Sequence, residues 1–400
     1  MRNQSLICTA ISLALAVPTF AASDKPIAPI ATAYSKLSAP ADPDKFEFVV
    51  TGDNRSTGHG YPMPPAFAEI CREIGIVHPA FTLWTGDCIE GYGDTVAEAN
   101  AEYDVFLKGL DLTNSPVFNA PGNHEFSLDK ALLPVYLKRI GVLYGSFDYG
   151  NSHFIALNSN AVGADGTITG GKIDDEQAAW LEADLKANAT ARNIFVFMHH
   201  YIFGPVDPDD PKLPTGMISL DEQAKLHSLF VKYGVRAVYC GHNHIYHHET
   251  QDSVDYYISG GTGAPLDATP EQGGYLHFLV VHVDGAKVTN QILQPWRLDL
   301  AYQSGSPLDE KAASTGSAWL TNENHEELSL TVPFRVKAGT GALAASARIA
   351  YKGKTKDVPA TIVSSTPGPS GAQTVLVSVP VKAARTVEVS LAPRPVAAAR

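Results

Sequence analysis

Cysteine is scarce in this chain: four residues in 400. Cys8 lies inside an N-terminal apolar run, which leaves Cys71, Cys88 and Cys240 in the body of the chain. An odd number of thiols leaves at least one unpaired, and three are too few for the framework of a disulfide-stapled scaffold. A hydrophobic core must therefore supply the stability. Long apolar stretches are also missing. The N-terminal run, Leu6–Val17, has 12 residues, short of the ~20 that cross a bilayer as a helix. No integral membrane span is expected. Positive charge is in deficit, with 30 Lys and Arg against 42 Asp and Glu, a net charge of −12 and no basic run. That balance argues against nucleic acid or an anionic membrane as partner. It leaves room for a small phosphorylated substrate, because a bound cation reverses the local charge of a site. Nothing in the composition sets an oligomeric state.

What is present begins with an arginine, the apolar run, Pro18 and then small residues, "MRNQSLICTAISLALAVPTFAAS". That order is the one found in secretory signal peptides, with cleavage expected after Ala21 or Ala22. A lipoprotein cysteine would follow the run, so Cys8 is not read as a lipidation site. The expectation is an exported protein, periplasmic or secreted, with residues 1–22 as signal peptide. Residues 23–44, rich in Pro, Ala and Ser, read as an extended arm.

From residue 45 short apolar strands alternate with helical patterns, the signature of a layered α/β sheet. Strands are expected at 46–50, 80–84, 116–120, 153–159, 193–198 and 235–240. Helices are expected near 64–74, 94–110, 128–140 and 174–187. β structure then runs to about residue 292, closing a first domain at 45–298. Residues 299–320 read as a linker. Segments such as "ELSLTVPFRV" and "TVLVSVPV" alternate in period two, which suggests a small β-rich domain over 321–400, sandwich-like and without chemistry of its own.

The polar residues fall at strand ends. Asp53 follows the first strand in "VVTGDNR" and Asp87 the second in "LWTGDC". Asn123, His124 and Glu125 follow the third in "NAPGNHE". His199 and His200 close "VFMHH", and His242 and His244 close "YCGHNH". Ligands of open α/β sheets bind at that edge. Glycines 52, 86, 122 and 241 precede these residues, where the chain is expected to turn sharply. Asp, Asn and His supply oxygen and nitrogen donors suited to Mn, Fe or Zn. In "GHNH" an extended chain would send both imidazoles to one face. His247 and His248 fall out of that phase and are not expected at the metal.

These motifs, in this order, resemble the calcineurin-like metallophosphoesterase superfamily. The resemblance rests on GD-x-(H/R), GD, GNH(E/D), a strand-ending His and GHxH, and covers residues 46–292. It implies a four-layer αββα sandwich of two mixed sheets with a dinuclear metal centre, in an exported bacterial-type member distantly like the purple acid phosphatases. It also implies that Asp87 bridges two metals. Asp53 and His244 then complete one site, and Asn123, His199 and His242 the other, with His124 beside the substrate. The implied activity is hydrolysis of phosphate esters, phosphomonoesters first, by a metal-activated hydroxide. A phosphodiesterase, or a phosphate- or metal-binding protein without turnover, remains an alternative.

One position departs from the superfamily pattern. Many members carry a histidine ligand where this chain has Arg55. A guanidinium has no lone pair to give, so either that site has fewer protein ligands or Asn54 or His59 fills it. Arg55 is then free to hold substrate phosphate, and His124 to act as general acid. Purple acid phosphatases carry a tyrosine three residues after the bridging Asp. Here that residue is Glu90, with Tyr92 out of register, so iron–tyrosinate chemistry is not expected. The loop 203–219 follows His200 and has the position of a pocket wall.

Overall fold

The computed structural model describes residues 37–126, 131–162, 168–205, 218–339, 341–351 and 354–394. The expected signal peptide, most of the N-terminal arm and the centre of the 203–219 loop lie outside the described residues. The N-terminal half alternates as its periodicity requires. It runs β1 (Lys45–Thr51), α1 (Pro65–Val77), β2 (Thr82–Trp84), α2 (Val96–Leu110), β3 (Val117–Asn119) and α3 (Leu133–Arg139). Next come β4 (Gly145–Tyr149), β5 (Ser152–Ala156), β6 (Asn160–Val162), β7 (Ile168–Gly170), α4 (Asp175–Ala187) and β8 (Asn193–Phe197). The series closes with α5 (Leu220–Tyr233), β9 (Ala237–Cys240), β10 (Tyr246–Gln251), β11 (Val254–Ser259), β12 (Phe278–Asp284) and β13 (Lys287–Leu293).

Two mixed sheets result. One has the order β13-β12-β1-β2-β3, the other β10-β11-β9-β8-β5-β4. Strand alternation decides what lies between them. In β1, Phe48 and Val50 point inward and Val49 points outward. The inner layer is largely aromatic: Phe48 stacks on Phe81 at 5.4 Å and meets Phe154 edge-on at 5.3 Å. Such a ring is close-packed on all sides, so Phe48→Ala would cost ~3–5 kcal/mol. Helices cover both outer faces. Tyr103 and Phe106 of α2 and Tyr136 of α3 pack with Trp84 on one side. Leu181 of α4 and Phe230 of α5 pack with Val196 and Val238 on the other. The layering is αββα, a mixed α/β fold, as the sequence resemblance implied.

Helix α5 was not anticipated. Its signals are local: Ser219 caps the Glu222 amide, Leu226 and Phe230 are buried four residues apart, and Gly234 closes it at φ 68°.

The strand-rich C-terminal region consists of β14 (Leu298–Ser304), β15 (Gly316–Asn322), β16 (Leu328–Lys337), β17 (Leu343–Tyr351), β18 (Lys354–Val358), β19 (Thr361–Pro367), β20 (Ala372–Val381) and β21 (Arg385–Pro393). These form two antiparallel sheets, β14-β15-β21-β17-β18 and β16-β20-β19. Leu320, Val387 and Val389 of one sheet share a core with Leu330, Phe334 and Val377 of the other. Residues 299–320, expected as a linker, instead hold most of β14 and the start of β15. Leu298, Leu300 and Tyr302 alternate in period two at the head of that stretch, and the polar run after them hid the pattern. The same core takes in Ile70 and Ile74 of α1. Glu73 Oε1 accepts the main-chain N–H groups of Arg297 and Leu298, each at 2.7 Å. The C-terminal sheets are therefore fixed to the catalytic layers through α1. Among the described residues no helix is long and apolar enough to cross a membrane.

Candidate metal centre

Strands β1, β2 and β3 are parallel, as are β5, β8, β9 and β11. The loops at their carboxyl ends meet. The chain turns there through unusual backbone: Asp53 (φ 62°), Asp87 (φ 54°) and His242 (φ 70°) are all left-handed. Such conformations cost free energy in non-glycine residues and cluster at functional sites. Of the four preceding glycines only Gly86 takes a positive φ, 103°. Glycine is needed at the other three for close approach. A Cβ on Gly52 would fall on Thr85 Oγ1, on Gly122 it would strike Asp87 Oδ1, and on Gly241 it would strike Asp53 Oδ2. The turning expected of the glycines is done by the polar residues themselves.

One cluster gathers Asn123, His199, His242 and Asp87. Asn123 Oδ1 lies 2.9 Å from both His199 Nε2 and His242 Nδ1, and the two ring nitrogens are 3.1 Å apart. Asp87 Oδ1 is 3.3 Å from His199 Nε2. His199 Nδ1 donates to the Thr85 carbonyl at 2.8 Å, so its Nε2 carries a lone pair. Burial, with His242 and His200 beside it, holds His199 well below the usual imidazole range, and burial lowers His242 too.

A second cluster gathers Asp53 and His244. His244 Nε2 is 3.7 Å from Asp53 Oδ1, and its Nδ1 is 2.5 Å from the Pro265 carbonyl. Asp53 Oδ1 accepts the His242 amide at 2.9 Å. Asp53 Oδ2 and His244 Nε2 are both buried without a hydrogen-bond partner. Burial, and then Asp87, raises the Asp53 carboxyl well above its ordinary value; burial raises Asp87 as well. Asp87 stands between the clusters, with Oδ1 toward His199 and Oδ2 toward Arg55 Nε at 3.7 Å and His124 Nε2 at 3.9 Å.

Neither substitute for the missing histidine ligand is in place. Asn54 is held by Trp84 Nε1 and the Cys88 carbonyl, each at 3.0 Å. His59 turns outward, its Nδ1 2.7 Å from Asp94 Oδ1 and its Nε2 3.9 Å from Glu98. Arg55 lies at the centre, with Nη1 3.0 Å from Glu90 Oε2. His247 and His248 lie in β10, paired with Glu249 and Asp255 and away from the centre. His242 is in a turn, not an extended chain, so "GHNH" sends one imidazole to each cluster. His200 is buried beside His242, with Nδ1 2.8 Å from Ser159 Oγ. All three described cysteines are free and buried.

Supporting residues went unassigned in the sequence. Glu125 accepts the amides of Asp87, Cys88 and Gly122 at 3.1, 2.5 and 2.6 Å, which ties the second and third loops together. Burial, and then Asp87, pushes it up to about 8. Asp267 accepts the His244 amide at 2.8 Å. Tyr92 stacks on His124 at 4.0 Å and its hydroxyl accepts from Asn123 Nδ2 at 2.6 Å. Out of register with purple acid phosphatases, it reaches the centre from its own loop. Only Glu125 had a signal, in "GNHE"; Asp267 and Tyr92 are joined to their partners by tertiary folding alone.

The sequence pattern of the calcineurin-like phosphoesterases matches residues 46–246, half of the chain. The chain belongs to the calcineurin-like phosphoesterase family. A curated relative described as a probable glycerophosphodiester phosphodiesterase, GpdQ of Arcobacter nitrofigilis, is 26% identical over 179 residues. That match covers 42% of this chain and 57% of the relative, so the phosphoesterase spans little more than half of that protein's length. Among solved structures, a dimetal phosphatase from Danio rerio has 16% identity and a TM-score of 0.43, covering 61% of this chain and 98% of its own. GAP50, the anchor in the inner membrane complex of Plasmodium, has 12% identity and a TM-score of 0.45, covering 62% and 84%.

Calcineurin-like phosphoesterases use a dinuclear metal centre, and the donors of this phosphoesterase fit one. Neutral imidazoles and carboxylates converge, and two buried acceptor atoms lack any partner within the protein. Asn123, His199, His242 and Asp87 could hold one cation; Asp53, His244 and Asp87 could hold the other.

Proposed function

We propose that the phosphoesterase hydrolyses phosphate esters at this centre, phosphodiesters ahead of monoesters. The carrying observation is that Asp87 lies within one cluster of potential ligands with both Asp53 and His199, while Asp53 Oδ2 and His244 Nε2 are buried without a hydrogen-bond partner. Bound cations of the Mn, Fe or Zn class would polarise phosphoryl oxygens and acidify water. The chain's own residues do the rest. Asp87 and the two clusters would hold the cations. Arg55 offers a buried, unpartnered Nε–H beside Asp87 Oδ2, a seat for a phosphoryl oxygen. Burial and Arg55 push His124 down to about 4, so the free ring is neutral, with Nδ1 turned to the Glu90 carbonyl and Nε2 toward the centre. A phosphate anion raises that pKa, which equips Nε2 to carry a proton to the leaving oxygen.

The order of substrates differs from the monoester preference read in the sequence. Arg55 is matched at once by Glu90, with Glu102 behind it on the Glu90 amide at 2.7 Å. That charge balance suits a diester's single negative charge better than a monoester dianion. The description of the Arcobacter relative points the same way. Comparing kcat/KM for bis-p-nitrophenyl phosphate and p-nitrophenyl phosphate tests the order; a higher value for the monoester overturns it. Action after export is part of the same proposal. An exported product beginning at Ala22 or Ser23 on N-terminal sequencing supports it, and an unprocessed cytoplasmic product refutes it.

A further inference from the structure

We propose that Glu90 is a positioning residue that aims both Arg55 and His124 at the same phosphoryl group. The inference rests on the phosphoester reading of the centre. Glu90 occupies the third position after Asp87 and is 6% exposed. Its side chain and its main chain act on different partners. The carboxylate Oε2 takes Arg55 Nη1 at 3.0 Å, and the carbonyl oxygen accepts from His124 Nδ1. The Glu90 amide donates to Glu102 Oε2 at 2.7 Å, which holds the residue itself in place.

The consequence for Arg55 follows from guanidinium geometry. The group is planar, with two edges able to grip an oxyanion. Nη1 is already taken by Glu90 and by the Ser56 carbonyl at 3.1 Å. The plane is thereby fixed so that Nε points at the centre, buried, without a hydrogen-bond partner and in ion-pair range of Asp87 Oδ2 at 3.7 Å. A buried donor left without a partner is costly, and a phosphoryl oxygen beside Asp87 would satisfy it. Without the Glu90 carboxylate the guanidinium is free to turn an N–H edge onto Asp87 and hydrogen-bond it, which closes the seat. On the His124 side the same residue fixes the tautomer. Nδ1 donates to the Glu90 carbonyl, so Nε2, 3.9 Å from Asp87 Oδ2, is the nitrogen presented to substrate. Arg55 and His124 thus face one point from two loops because one residue holds both.

Glu90→Gln tests this, since it keeps the shape and the main-chain carbonyl and removes the charge. The probe is inorganic phosphate binding to the metal-loaded full chain, by calorimetry. The expected result is affinity about tenfold weaker or more, with metal content and melting temperature unchanged. Arg55→Ala should weaken phosphate similarly, and the double variant should be no weaker than Arg55→Ala alone, because the two act as a unit. Glu90→Asp, which keeps the charge, should recover part of the affinity, and it also carries the test if Glu90→Gln folds poorly. Unchanged phosphate affinity with a lowered melting temperature would make the pair a structural tie and overturn the inference; so would additive losses in the double variant. A wild type that binds phosphate with these dependences but hydrolyses neither ester removes the phosphoesterase activity and leaves the Glu90 assignment standing.

Discussion

His199 Nε2 and Asn123 Oδ1 face each other at 2.9 Å with lone pairs on both atoms, because His199 spends its N–H on the Thr85 carbonyl and Asn123 spends its amide on Tyr92. Two acceptors at that distance repel unless a cation or a proton lies between them. Burial keeps the His199 imidazole neutral, and a bound cation would relieve that repulsion. His199→Ala should lose close to one metal equivalent and keep the other. Asp87→Asn, which alters the carboxylate facing both clusters, should lose most of both. Elemental analysis of the purified, metal-loaded variants reads this directly; full occupancy in Asp87→Asn would remove Asp87 from the bridging role.

Arg55 replaces a ligand that many relatives have, and its consequences separate cleanly. Arg55→Ala should lower kcat/KM by about 10- to 100-fold, the worth of a charge-assisted hydrogen bond of ~1.5–3 kcal/mol, with metal content unchanged. Arg55→His returns an imidazole beside Asp53 and should tighten metal at the Asp53–His244 site while weakening phosphate. Unchanged metal affinity together with unchanged phosphate affinity would refute both halves.

For His124 the informative variable is the leaving group. His124→Ala should keep its metals and lose rate by roughly 10²–10⁴ on alkyl esters, as expected of a general acid. The loss should shrink on p-nitrophenyl esters, whose leaving oxygen needs no proton. An equal loss on both classes would indicate positioning instead of proton transfer.

A pH effect on stability comes from outside the centre. His153 is buried, with Nδ1 2.7 Å from Asp148 and Nε2 2.8 Å from Asp184. Burial alone would lower its pKa; the two carboxylates outweigh burial and raise it to about 9 from 6.5. Protonation therefore favours the folded state. The contribution is complete below pH 6.5 and is lost as pH rises from 6.5 through 9, by at most ~3 kcal/mol. Melting temperatures of wild type minus His153→Gln should be largest at pH 6 and shrink toward pH 9.5. A flat difference would contradict the paired, charged imidazole.

The layered fold was legible because its cause is local. β1 reads as alternating inward Phe48 and Val50 and outward Val49, and α4 announces itself by acidic residues at its start and leucines on one face. The strand-end donors were legible for the same reason, each following an apolar strand. What escaped depends on contacts distant in sequence. Asp267 reaches His244 across 23 residues, and Tyr92 reaches Asn123 across 31. The left-handed turns at Asp53, Asp87 and His242 escaped because neighbouring glycines were the obvious candidates. The pairing of Arg55 with Glu90, 35 residues apart, is invisible until the two loops are side by side.

The most direct test of a metal-dependent phosphoesterase is a stripped-protein titration. Mn²⁺ or Zn²⁺ is added in equivalents to chelator-treated wild type, while bound metal and bis-p-nitrophenyl phosphate turnover are followed together. No turnover is expected without metal, and a plateau is expected as bound metal approaches two equivalents. Full turnover in the metal-free protein, or none with both equivalents bound, would contradict that expectation.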